Sequence, residues 1–137
     1  MEIGKIPQAA KKSAPLRILV VDDESLIRWS LTETLSDLGH LVSEAGDGDT
    51  ALRMVTDVDA PFDVVLLDYH LPDSHDLVLL SQIRRLAPNT VVIMMTAFAT
   101  PEMSDAALRI GAYRVVHKPF EIHDMADLVL DAHAAAH

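Results

Sequence analysis

Ile18-Leu19-Val20-Val21-Asp22-Asp23-Glu24 joins four apolar, mostly β-branched residues directly to three acids. An uninterrupted run of this length fits a strand buried on both faces. The abrupt change to acids marks where that strand leaves the core. Four more short apolar runs follow, at residues 41–45, 64–67, 91–95 and 113–116. Segments with helical spacing lie between and after them. Residues 24–38 place Ile27, Leu31, Leu35 and Leu38 on one face, and Gly39 suits the position just past the helix end. Residues 49–57 bury Ala51, Leu52 and Val55. Leu77, Leu80, Ile83 and Leu86 pattern a third helix that Pro88 stops. Thr100 and Pro101 read as the N-cap and first-turn proline of a fourth, striped by Met103, Ala106, Ala107 and Ile110 and closed by Gly111. Residues 121–135 form the fifth, with Ile122, Met125, Ala126 and Val129 facing inward.

Five strand–helix units in succession imply a parallel sheet covered on both faces. The chain has 137 residues, too few for a (β/α)₈ barrel, which leaves an open doubly wound α/β sheet. Hydrophobic residues make up 50% and charged residues 23%, a globular balance rather than a disordered one. Cysteine is absent, which excludes disulfide scaffolds, thiolate metal sites and thiol catalysis. No apolar run can span a bilayer, and the first 15 residues show no secretory apolar segment, so a cytoplasmic protein without membrane contact is expected. Residues 1–15 mix Lys, Ala, Pro and Ser without period and read as a flexible tail, with the folded unit at 16–137. Residues 1–17 hold four basic groups and one acid; the rest holds seven basic groups and 20 acids. A body this acidic should not bind nucleic acid directly.

The polar residues gather at the strand ends. The first strand ends in Asp22 and Asp23, the third runs into Asp68, the fourth into Thr96 and the fifth into Lys118. Ligands of open α/β sheets bind beyond the carboxyl ends of the strands. Lys118 is the single lysine outside the first 12 residues. A structural ion pair would account for it with one acid but not with three. Crowded carboxylates raise one another's pKa or recruit positive charge. An all-oxygen site open to water suits Mg²⁺, whereas the seven histidines have no zinc-site spacing. An Asp at a strand end can act as a nucleophile and form an aspartyl-phosphate, with Lys118 and Thr96 holding the phosphoryl oxygens. No glycine-rich phosphate loop supports ATP binding.

Ile-Leu-Val-Val-Asp-Asp-Glu at 18–24, Leu-Leu-Asp-Tyr-His-Leu-Pro at 66–72, Met-Thr-Ala at 95–97 and His-Lys-Pro-Phe at 117–120 together resemble the receiver domain of two-component response regulators. The likeness covers residues 16–136 and is nearest to receivers of NtrC-type regulators. It implies the CheY-like, flavodoxin-like strand order 2-1-3-4-5. It implies that Asp68 accepts a phosphoryl group from a sensor histidine kinase or phosphotransfer protein. Asp23 and Asp68 would ligate Mg²⁺ directly, Asp22 through water, and His70 through its backbone carbonyl. Lys118 would pair with the phosphoryl group. Thr96 would bond it and draw in residues 97–100, remodelling the face of the fourth helix, fifth strand and fifth helix. That face could also carry a homodimer. Such a domain is not an enzyme in the ordinary sense, beyond its own phosphorylation and dephosphorylation. The output would be control of transcription through a fused effector that this chain lacks.

Some positions depart from the family pattern. Val115 stands where the switch aromatic usually lies, and it has no ring to rotate. Tyr113, two residues earlier, is expected on the same strand face. Asp73 and Asp76 replace common glycines after Asp68, and Asp76 can cap the third helix. His70 and Phe98 occupy the positions that tune phosphoryl lifetime. Two other readings compete: an interaction module on the same fold that works without phosphorylation, and an aspartate-nucleophile phosphatase of the haloacid dehalogenase type. The second wants an acid two residues after its nucleophile, where this chain has His70.

Overall fold

In the computed structural model, which describes residues 15–57, 59, 61–74 and 76–136, the apolar runs become one five-stranded parallel sheet. Its strands are β1 (Arg17–Val21), β2 (Leu41–Ala45), β3 (Val64–Asp68), β4 (Val91–Thr96) and β5 (Arg114–His117). The helices are α1 (Ser25–Asp37), α2 (Gly48–Val55), α3 (Val78–Leu86), α4 (Pro101–Ile110) and α5 (Ile122–Ala136). The sheet order is β2-β1-β3-β4-β5, with every pairing parallel. This is the expected doubly wound topology, and its order reverses between β1 and β3. The expected tail, except for Pro15, lies outside the described residues. Among the described residues, no helix is long and apolar enough to cross a membrane.

Alternation along the central strands divides the core in two. Leu19, Val21, Val65, Leu67, Val92 and Met94 pack with Ala51 and Val55 of α2, Leu79, Leu80 and Ile83 of α3 and Ala107 of α4. Ile18, Val20, Val64, Leu66, Ile93 and Met95 face the other way, onto Leu31 and Leu35 of α1 and Met125, Ala126, Val129 and Ala132 of α5. All residues of β3 and β4 are buried, so neither strand shows the half-polar alternation of a surface sheet.

Caps account for several boundaries. Asp47 accepts the Thr50 N–H at the start of α2, and Thr100 accepts the Met103 N–H at the start of α4, with Pro101 following. Gly39, at φ +97°, takes the left-handed turn after α1. Asp76 is not the cap expected of it: Leu77 is the N-cap of α3 and makes no side-chain cap bond, while Asp76, one residue earlier, accepts the Val78 N–H.

The helix stripes are narrower than expected. Leu38, Leu86 and Ile110 are exposed at the last residue of a helix or its C-cap, where the chain turns off the sheet. The fifth strand begins at Arg114, one residue late. Tyr113 therefore precedes the regular alternation. Its side chain packs on the α1/α5 side, whereas Val115 packs on the α2–α4 side. The two do not share a strand face, which corrects the period-2 expectation.

Candidate functional site

Strand register assembles the site. Val21 pairs with Leu67, so Asp22 emerges beside Asp68. Asp68 pairs with Met95, so Thr96 comes next on the neighbouring strand. Thr96 pairs with His117, and Lys118 follows. Two backbone bonds extend the ladder past the strands: the Tyr69 N–H donates to the Met95 carbonyl, and the Lys118 N–H to the Thr96 carbonyl. Sequence positions 22, 68, 96 and 118 thus meet at one edge of the sheet.

Asp22 and Thr96 are fully buried, and Asp68 and Lys118 nearly so. The Lys118 Nζ donates to Asp22 Oδ2 at 2.8 Å and to Glu24 Oε1 at 2.8 Å, and stands 3.4 Å from Asp68 Oδ2. Asp68 Oδ1 accepts the His70 N–H at 3.3 Å. The Thr96 hydroxyl accepts the Phe98 N–H at 3.1 Å, and its own proton is free to donate elsewhere. The backbone at Asp22 is fixed by the Arg28 guanidinium, which donates to the Asp22 carbonyl at 2.6 Å and also holds Glu44.

One ammonium faces three carboxylates, and the imbalance shows in the proton affinities. Burial, and then the neighbouring Asp22 charge, push Asp68 up to about 7 against the opposing pull of Lys118. Burial alone would lower Lys118, but its bonds to Asp22 and Glu24 and the charges of Asp22 and Asp68 prevail and hold it above the ordinary lysine value. Asp22, Glu24 and Asp68 each offer an oxygen within 4.8 Å of the others. This hard, all-oxygen, under-neutralised set fits a divalent cation such as Mg²⁺.

Asp23 is exposed and is not among the three acids whose oxygens cluster here. Glu24 was not expected in the site, and it reaches Lys118 from the N-cap position of α1. Its signal was present as the third acid of the 22–24 run, but a run of acids does not tell which of them turns inward. His70 and Phe98 sit at the rim, with rings 6.2 Å apart edge to face and Phe98 75% exposed. Val115 is half-buried, and Tyr113 lies beneath Arg114. Asp73 does more than acidify the loop: it accepts the Gly48 N–H at 2.7 Å and the Asp49 N–H at 3.0 Å, tying the β3–α3 loop to α2.

The family described as response regulator receiver domain matches residues 18–130. The regulatory protein AtoC of Escherichia coli is 38% identical over 109 residues, covering 80% of this chain and 23% of AtoC. The chain therefore spans about a quarter of that relative. Sporulation initiation phosphotransferase F of Bacillus subtilis is 34% identical over 113 residues, covering 82% of this chain and 90% of that protein. Among solved structures, a CheY-like receiver domain from Methanospirillum hungatei superposes with a TM-score of 0.84 at 28% identity, covering 90% of this chain and 97% of the other.

Proposed function

The chain belongs to the response regulator receiver domain family, and on that premise we propose that it is a phosphorylation-operated switch whose phosphoacceptor is Asp68. The observation that carries this reading is the buried meeting of Asp22, Asp68 and Lys118 beside Thr96.

An Asp68 oxygen attacks the phosphorus of a phosphohistidine on a sensor kinase or phosphotransfer protein. The O–P bond forms as the P–N bond breaks, and the electron pair stays on the imidazole nitrogen, which takes up a proton. Asp22, Asp23 and Asp68, with the His70 carbonyl, would hold Mg²⁺. When bound, the ion supplies positive charge to the phosphoryl oxygens and favours ionised Asp68. Lys118 pairs with the new phosphoryl group. Thr96 donates its hydroxyl to it and draws in residues 97–100. The readout is the face of α4, β5 and α5, which also carries a homodimer. His70 and Phe98 govern the access of water that hydrolyses the aspartyl-phosphate.

The likeness to NtrC of Azospirillum brasilense, a DNA-binding transcriptional regulator, supports an output in transcription through an effector. We place this unit, at 16–137, in the cytoplasm, and its acidic body argues against direct nucleic-acid contact. Val115, which lacks the switch ring, favours one rival, an interaction module independent of phosphorylation. The test is intact mass after incubation with acetyl phosphate, with and without Mg²⁺. The expected result is one phosphoryl group that requires Mg²⁺ and disappears in Asp68→Asn. An adduct that persists in Asp68→Asn would refute the assignment. No adduct, together with no response to beryllofluoride, would favour the rival.

A further inference from the structure

We propose that Glu24 is a releasable restraint on Lys118, holding the ammonium off Asp68 until a phosphoryl group displaces it. The inference rests on the phosphoacceptor reading of Asp68 above and gives a role to a residue outside the expected site.

Three carboxylates compete for one ammonium, and only two hold it closely. Asp22 and Glu24 each lie 2.8 Å from Nζ, and Asp68 lies at 3.4 Å. The three acids differ in how firmly they are fixed. Asp22 is fully buried, its second oxygen accepts the Glu24 N–H at 2.9 Å, and its carbonyl is held by Arg28. Asp68 is buried on β3 and bonded to the His70 N–H. Glu24 has a side chain 58% exposed, on a flexible two-methylene arm. Its backbone is anchored through Asp22, but its carboxylate is free to swing into water.

A second feature points the same way. Glu24 is the N-cap residue of α1, yet its side chain caps no helix N–H. A carboxylate there ordinarily serves the helix N-terminus. This one is given to Lys118 instead. Withdrawing Glu24 costs little, because an exposed carboxylate regains its water. Withdrawing Asp22 would strand a buried charge. An incoming phosphoryl group adds negative charge to an already acidic site, so the exposed acid is the one that gives way.

The experiment compares wild type with Glu24→Gln in two measurements. The first is Mg²⁺-dependent phosphorylation by acetyl phosphate, resolved into the half-saturating donor concentration and the maximal rate. Glu24→Gln is expected to lower the half-saturating concentration roughly threefold to tenfold, as the loss of one nearby like charge implies, with a smaller change in maximal rate. The second is the Lys118 ζ-ammonium resonance in metal-free, donor-free protein, which is expected to shift as the ammonium settles between Asp22 and Asp68. A raised requirement for Mg²⁺ in Glu24→Gln would make Glu24 a metal ligand and overturn the proposal. An unmoved resonance with unchanged kinetics would make it a bystander and also overturn it. A wild type that gains no Asp68-dependent adduct overturns the phosphoacceptor reading, a failure visible before the variant is made.

Discussion

Asp68 sits in a pocket that resists its charge, and that resistance is measurable without any phosphoryl donor. Burial and the Asp22 charge raise it to about 7, while the unfolded chain leaves it near 3.8. Between those values the folded protein binds a proton that the unfolded chain releases, so this group's contribution to stability falls as pH rises from about 4 to about 7 and is flat above. Asp68→Asn removes the charge at nearly constant shape. In the presence of a chelator, the variant should be more stable than wild type at pH 8, by on the order of 2–4 kcal/mol, and the two should converge near pH 4. Urea unfolding at a series of pH values gives the comparison, and parallel curves would contradict it. His40 acts in the opposite sense. It is buried, accepts the Leu16 N–H, and burial lowers its proton affinity. Its contribution is lost as pH falls through about 6.5 and lower, but it is common to both proteins and cancels in the difference.

At the level of elements, periodicity and turn chemistry made most of the architecture readable. Fully buried strands are continuous apolar runs, and Thr100-Pro101, Gly39 and Gly111 end or start helices for local reasons that need no tertiary knowledge. The strand-end residues Asp22, Asp68, Thr96 and Lys118 were readable because a parallel sheet brings its strand ends to one edge. What stayed hidden depends on side-chain direction across loops. Period-2 alternation misplaces Tyr113 because β5 starts after it, and nothing in one dimension separates the inward-turning Glu24 from the acids beside it. Asp73 belongs here too. A loop acid 25 residues from Gly48 gives no sequence sign that it will meet the α2 N-terminus. Its two backbone bonds join the loop that carries His70 to that helix. Asp73→Ala should therefore destabilise the protein by about 1–2 kcal/mol, the scale of a lost helix cap. It should also speed amide exchange at Gly48 and Asp49 while leaving that of β3 unchanged. Faster exchange throughout the sheet would show that the bond is not local.

For the whole molecule, the question is how a body with so many acids tolerates a buried acidic site at all. Each central strand is clamped between two apolar layers, so the backbone at the site is held by packing that does not depend on the site's charge. The uncompensated carboxylates at the sheet edge are thus a local deficit carried by a global surplus of burial, as stability margins require. Divalent cations can relieve that deficit in two ways: by screening the overall negative surface, or by binding at Asp68 and its neighbours. The two differ in specificity. Screening depends on ionic strength and acts alike on any variant of the same fold. Binding adds RT ln(1 + [Mg²⁺]/Kd), about 1.4 kcal/mol at ten times Kd, and requires the ligands. At pH 8, millimolar Mg²⁺ should raise the Tm of wild type by a few degrees beyond NaCl of equal ionic strength. Asp68→Asn, already the more stable protein without metal, should gain nothing beyond the NaCl control. Calorimetry of both proteins in the two salts decides it. An equal Mg²⁺ increment in wild type and Asp68→Asn would assign the effect to the surface as a whole and remove the metal from the site.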